Sequence, residues 1–163
     1  MYSINIMPFR EHIPMTHNDF LETRTDGVQS EWLDNRRDHN PIVVFTFHDF
    51  APTTVDVWFA QCLSCINNAT NNAPLIGLHD VSDAALVLTC FMVDRVRTLL
   101  KAHGQHPGRH AIIVSRSIMA QMINAVVKAH RRPNTEIRVF FSRDEGLAWL
   151  YEDSLTVSAN FPY

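Results

Sequence analysis

From Pro41 to Tyr151 the chain alternates short apolar runs with longer stretches of helical period, and no other feature of the sequence restricts its fold as much. Ile42 to Phe47, Leu75 to Leu78, His110 to Val114 and Ile137 to Phe141 each have the length and side-chain content of a buried strand. Each runs straight into a segment with helix signals. Pro52 and Thr53 or Thr54 open the first, with Val55, Trp58, Phe59, Cys62, Ile66 and Ala69 at helical spacing. Asp80-Val81-Ser82-Asp83 opens a second, long pattern that ends near His103, where Gly104 is placed to stop it. Ser115-Arg116-Ser117 precedes a third, whose stripe is Met119, Met122, Ile123, Val126 and Val127, with Pro133 beyond its end. Ser142, followed three residues later by Glu145, resembles a capping box for a fourth, which carries Leu147, Trp149 and Leu150. Strands joined by helical crossovers of this length run parallel, so their carboxyl ends share one edge.

Ahead of this repeat, Val28 to Arg37 can form a strand, and Asp38-His39-Asn40 is turn-prone, so Ile42 to Phe47 returns as its antiparallel partner in an opening hairpin. Pro8, Pro14 and Gly27 break any pattern before it. The organisation expected is an N-terminal extension over 1–27, one domain over 28–152 and a C-terminal tail over 153–163. The fold class is α/β, with a mixed, mainly parallel sheet of four to five strands and about four helices.

The chain has 163 residues, 46% hydrophobic and 19% charged, which suits one soluble domain able to bury roughly 68–70% of its unfolded surface. No apolar run reaches the roughly 18–20 residues of a membrane span, and residues 1–19 lack the apolar core of a secretory signal, so a cytoplasmic location is the default expectation. A net charge of -3 argues against a broad nucleic-acid surface, and Arg131-Arg132 reads as a complement to a helix carboxyl end. Three cysteines are an odd number for a disulfide framework, and reduced thiols fit better.

The shared edge gathers His48 and Asp49, His79, Asp80 and Ser82, Ser115 and Arg116, and Ser142 and Arg143, where open α/β sheets bind ligands. The same Ser and Asp residues also suit helix N-caps with nothing bound. A His beside an Asp suggests a base with an orienting carboxylate, yet neighbours on a strand face opposite ways, so a dyad would have to form across strands. Cys62 and Cys65 make a Cys-x-x-Cys spacing inside a helix, on the apolar stripe, which favours packing over redox or metal use; Cys90 reads as a small buried apolar residue. His103, His106 and His110 could converge on a metal of the zinc type, but their turn lies at the opposite edge and holds no Cys or carboxylate. Glycine-rich phosphate loops, the Gly-x-Ser-x-Gly elbow and the dinucleotide fingerprint are all missing, and no cofactor is expected.

Leu-Ile-Gly-Leu-His-Asp-Val-Ser at 75–82 and Val-Phe-Phe-Ser-Arg-Asp-Glu-Gly-Leu-Ala-Trp-Leu at 139–150, set in this hairpin and strand-helix order, resemble the STAS, or SpoIIAA-like, domain family over roughly Val28 to Tyr151. That family is similar to the bacterial anti-sigma factor antagonists, in which Asp-x-Ser leads to an Asp-Ser-Ser-Gly turn whose serine is phosphorylated to switch partner binding. Asp80 and Ser82 match the first part, whereas Leu88-Thr89-Cys90-Phe91 stands where Asp-Ser-Ser-Gly is expected, leaving Thr89 as the nearby hydroxyl for modification. The resemblance implies a non-enzymatic regulatory module that binds a protein or a small ligand. Two alternatives stand beside it: a small enzyme using His48, His79 and Asp80, and a carrier of a small apolar ligand. A homodimer is plausible through the sheet edge that the hairpin leaves open.

Overall fold

The computed structural model describes residues 27–34, 41–69, 73–83, 89–104, 106–116, 118–129 and 133–152. Nine elements follow one another: β1 (Val28–Leu33), β2 (Ile42–Phe47), α1 (Pro52–Asn68), β3 (Leu75–Val81), α2 (Cys90–His103), β4 (Gly108–Val114), α3 (Ile118–Ala129), β5 (Thr135–Phe140) and α4 (Arg143–Tyr151). The strands form one sheet in the order β1-β2-β3-β4-β5. β1 pairs antiparallel with β2, Val28 opposite Phe47 and Leu33 opposite Ile42, and every later neighbour is parallel. The α/β class, the opening antiparallel pair and the parallel remainder all agree with the sequence reading. Residues 1–26 of the expected extension, the hairpin turn, Arg131-Arg132 and the tail lie outside the described residues.

Several expected boundaries move: β1 ends at Leu33 and not at Arg37, β4 begins at Gly108 and not at His110, β5 runs Thr135–Phe140 and not Ile137 to Phe141, and two further shifts change the reading of the site. β3 continues to Val81 rather than stopping at Leu78, because Phe45, Thr46 and the β4 residues Ile112 to Val114 give its last three residues partners. His79 and Asp80 are therefore strand residues, not exit residues. Accordingly α2 begins at Cys90 and not near Asp80; its N-cap is Thr89, whose hydroxyl accepts from the Met92 N–H at 3.2 Å. Gly104 closes α2 with φ +57°, a conformation that costs glycine little and an L side chain much more. Cys90, expected to be buried, is exposed because it occupies the first turn of α2. Met122 is also exposed, although Ile123 on the same helix is buried.

Strand alternation gives the sheet two apolar faces. Ile42, Val44, Ile76, Leu78, Ala111 and Ile113 point to one, where Trp149 and Leu150 of α4 cover them. Gly146 permits that close seat, since a Cβ there would lie 2.5 Å from the Ile113 methyl. Phe45, Phe47, Ile112 and Val114 point to the other face, toward Val55, Trp58 and Ile66 of α1, Met92 and Leu99 of α2, and Ala120 and Ile123 of α3. Each large side chain so buried contributes about 1.5–3 kcal/mol. The α4 face is closely filled, whereas the face beneath α1, α2 and α3 borders a half-open cavity.

Candidate functional site

The cavity has a volume of about 550 Å³ and runs between the sheet and α1–α3. Phe45 and Ile112 supply part of its floor, Trp58, Cys62 and Ile66 one wall, and Leu99, Val126 and Val127 others. No Asp, Glu, Lys or Arg lines it among the described residues. Its few polar groups are dominated by three histidines that the sheet and α2 bring into file.

His79 of β3, His110 of β4 and His103 at the end of α2 form a row. Trp58 Nε1 donates to His79 Nδ1 at 3.2 Å; His79 Nε2 lies 3.4 Å from His110 Nδ1; His110 Nε2 lies 3.4 Å from His103 Nε2; and His103 Nδ1 lies 3.3 Å from the Thr135 hydroxyl. The indole N–H can only donate, and that fixes the direction of every later link. His79 Nδ1 accepts, so its proton is on Nε2 and is given to His110 Nδ1. His110 in turn carries its proton on Nε2 and gives it to His103 Nε2. His103 is then the Nδ1–H tautomer and donates to Thr135. All six ring nitrogens are used, with no proton left over and none missing.

Glycine makes the room. A Cβ at Gly77, which pairs with His110 across β3 and β4, would lie 2.9 Å from His110 Nδ1 and 3.3 Å from His79 Nε2. A Cβ at Gly108 would lie 2.8 Å from His103 Nε2 and 2.9 Å from the Leu75 carbonyl oxygen. Phe45 stacks on the His79 ring at 5.4 Å with 10° between planes, and Trp58 meets the same ring edge-on. Imidazoles held this way are kept neutral. Burial pushes His79 down from 6.5 to about 4. Burial, then the neighbouring His79 and His103, hold His110 well below the usual range; His103 is also lowered, by burial first and then by His106. The thiols on the α1 wall are neutral for the same reason, burial pushing Cys65 up to about 11 and Cys62 well above its ordinary value.

The residues expected at the carboxyl edge do not converge. His48 is exposed, with Nδ1 3.5 Å from the Asp83 carboxylate. Asp49 accepts from the Ala51 N–H at 2.9 Å and the Thr54 hydroxyl at 2.6 Å, bonds that hold its carboxyl below the usual range and fasten the start of α1. Asp80 faces away from His79 and accepts from the Ser82 N–H and hydroxyl at 3.1 and 2.6 Å. Ser115 and Arg116 are exposed, the Arg116 guanidinium lying over the Phe141 ring. Ser142 caps α4, and Arg143 pairs with Glu31 of β1. No shared pocket joins His48, His79 and Asp80, so the dyad envisaged for a catalytic site does not form. His103 and His110, set aside as a turn at the far edge, instead join His79. Among the described residues, no group of three or more His, Cys, Asp or Glu is arranged to hold a metal ion.

No protein-family model matches the sequence, and no curated protein matches it. A solved structure does: an uncharacterised DUF3478-family protein from Shewanella loihica PV-4, with a SpoIIAA-like fold, aligns over 80% of this chain and 99% of its own at a TM-score of 0.56 and 14% identity. The chain has a SpoIIAA-like fold. In this SpoIIAA-like fold Thr89 is the N-cap of α2, in the segment Leu88-Thr89-Cys90-Phe91 that lacks the Asp and Gly of the Asp-Ser-Ser-Gly turn. Among the described residues no helix is long and apolar enough to cross a membrane.

Proposed function

We propose that this SpoIIAA-like chain is a binding module that carries a small apolar ligand between its sheet and α1–α3. The observation behind this reading is the cavity of about 550 Å³, free of charged lining groups among the described residues and within the roughly 300–1,000 Å³ usual for small-molecule sites. Filling such a space removes apolar wall from water at roughly 25 cal/mol per Å². The neutral imidazole row adds polarity to the wall without adding charge. The catalytic alternative lacks comparable support, because its three residues are engaged separately with Asp83, Trp58 and Ser82.

The test is binding of the neutral dye Nile red to protein purified without detergent, together with native mass spectrometry of the same sample. One dye per chain, or a co-purified small molecule lost on organic extraction, is expected. The absence of both dye fluorescence and an adduct would refute the proposal.

A second reading places a protein partner at the start of α2. Thr89 caps that helix, and a phosphate there would meet backbone N–H groups and the positive end of the helix. Intact-mass analysis of protein from its native cells should then show a phosphate increment that Thr89→Val removes; the unmodified mass alone, across growth conditions, would count against it. Three free thiols, two of them held neutral, fit a reducing compartment, which makes the cytoplasm our proposed location.

A further inference from the structure

We infer that ligand retention is coupled to protonation of the histidine row, so that the cavity holds an apolar molecule at neutral pH and releases it in mild acid. This rests on the cavity being the binding site. The row is the fastener of that cavity: through Trp58, His79, His110, His103 and Thr135 it links α1, β3, β4, α2 and β5.

Because every ring nitrogen already donates or accepts, an added proton has no place within the row. On His79 Nδ1 it would face the indole N–H; on His110 Nδ1 it would face the N–H of His79; on His103 Nε2 it would face the N–H of His110. Each case sets two hydrogens against each other across a link. The two imidazole links, at 3.4 Å, are already long for N–H···N bonds, so little holds them once that happens.

Nor is there a counter-ion among the described residues. The α1 wall of the same cavity carries two thiols, Cys62 and Cys65, both held neutral by burial. The lining residues of β2 and α3 are all apolar among those described. Asp80 projects to the opposite face and is bound by Ser82, and Glu136 on β5 pairs with Arg138 outside the cavity. His106, against the His103 ring, is a second imidazole and disfavours a charge there. A protonated ring therefore gains by leaving for water. His103 is the member built to leave, as the last residue of α2, with Gly104 in the left-handed region behind it. Its exit unties α2 from β4 and β5 and opens the wall that Leu99 shares with it. Linkage then runs both ways: a ligand that keeps the row dry resists proton uptake, and proton uptake expels the ligand.

Nile red titrations of the full chain at about pH 7.5 and about pH 5, with circular dichroism at both, test the coupling. The dissociation constant should rise by about tenfold or more in acid while the helix and strand signals persist, and His103→Gln, which can bond but not titrate, should cut that rise by about threefold or more. His110→Gln serves the same purpose if the first variant does not fold. Binding at pH 7.5 that is unchanged at pH 5, an undiminished rise in the variants, or loss of secondary structure together with the dye would each overturn the inference while leaving the cavity reading intact. Absence of dye binding at pH 7.5 would overturn both.

Discussion

Replacing Gly77 by Ala is the sharpest test of the idea that this sheet was opened to admit imidazoles. The new Cβ would stand 2.9 Å from His110 Nδ1 and 3.3 Å from His79 Nε2, on either side of a bond only 3.4 Å long. Relieving the closer contact takes a shift of roughly half an ångström, which parts the two rings beyond hydrogen-bonding range. A buried ring nitrogen left unpaired costs about 1–3 kcal/mol. Against this, Ala reduces the freedom of the unfolded chain and contributes about 0.4–1 kcal/mol, with no strain to oppose it because Gly77 does not have positive φ. The net expectation is destabilisation by about 1–2 kcal/mol, or about 3–7 °C in Tm for a domain of this size. The decisive measurement is the cycle with His110→Ala, read by urea and thermal unfolding. Where the His110 ring is absent, Gly77→Ala should become neutral or stabilise by about 0.5 kcal/mol, a coupling of about 1–2.5 kcal/mol. An equal cost in both backgrounds, or a wild-type chain stabilised by the change, would show that the glycine serves the backbone and not the histidines.

Three further outcomes follow from the same geometry. The buried bases give stability a defined pH dependence: His79 is lowered from 6.5 to about 4, so its contribution is complete above about pH 6.5, declines as pH falls toward 4 because the unfolded chain binds the proton first, and amounts to about 3 kcal/mol in all. Urea unfolding between about pH 7.5 and 4.5 should show this slope, and His79→Phe, which keeps the stack on Phe45, should flatten it; a wild type with no slope would contradict the burial argument. Thiol labelling under native conditions should modify Cys90 first and Cys62 and Cys65 more slowly, since the α1 thiols are half-buried and held protonated while Cys90 is exposed; equal rates at all three would place the α1 wall in solvent. Long-range 1H–15N spectra should show His79 and His110 as Nε2–H tautomers and His103 as Nδ1–H, and Trp58→Phe, by removing the donor that sets the direction, should leave mixed tautomers in the row; a wild-type His79 protonated on Nδ1 would reverse the assignment.

The parallel sheet was legible because its cause is local. Each apolar run from Ile42 onward has a helix signal after it, and a helical crossover leaves little choice but parallel pairing. The segment between β3 and α2 misled because Asp80 and Ser82 have the composition of a helix start and yet bond to each other, while the cap that matters, Thr89, sits among apolar neighbours. Edge chemistry misled for a related reason. Ser, Asp and Arg at strand exits carry the same signal whether they bind a ligand or start a helix, and in this chain Ser142 caps the start of α4 while Asp49 fastens the segment just before α1.

The histidine row was hidden because it depends on register, which one strand's sequence does not specify. His79 and His110 lie 31 positions apart, and only the pairing of Gly77 with His110 sets the two rings over the gap that glycine leaves. One trace was present. In the apolar face of β3, a glycine and then a histidine occupy the inward positions between Leu75 and Val81, where a fully packed strand would have two branched side chains. Small residue next to polar residue on an inward face implies that something other than aliphatic packing fills the space above it. In β4 the inward position opposite is again histidine, so the missing aliphatic volume is adjacent on two central strands, and helices seated over such a floor cannot close down on it as α4 closes on the other side. The cavity and the row are thus one consequence of the same substitutions, and whatever occupies the cavity must lie against imidazoles whose hydrogen-bonding capacity is already spent.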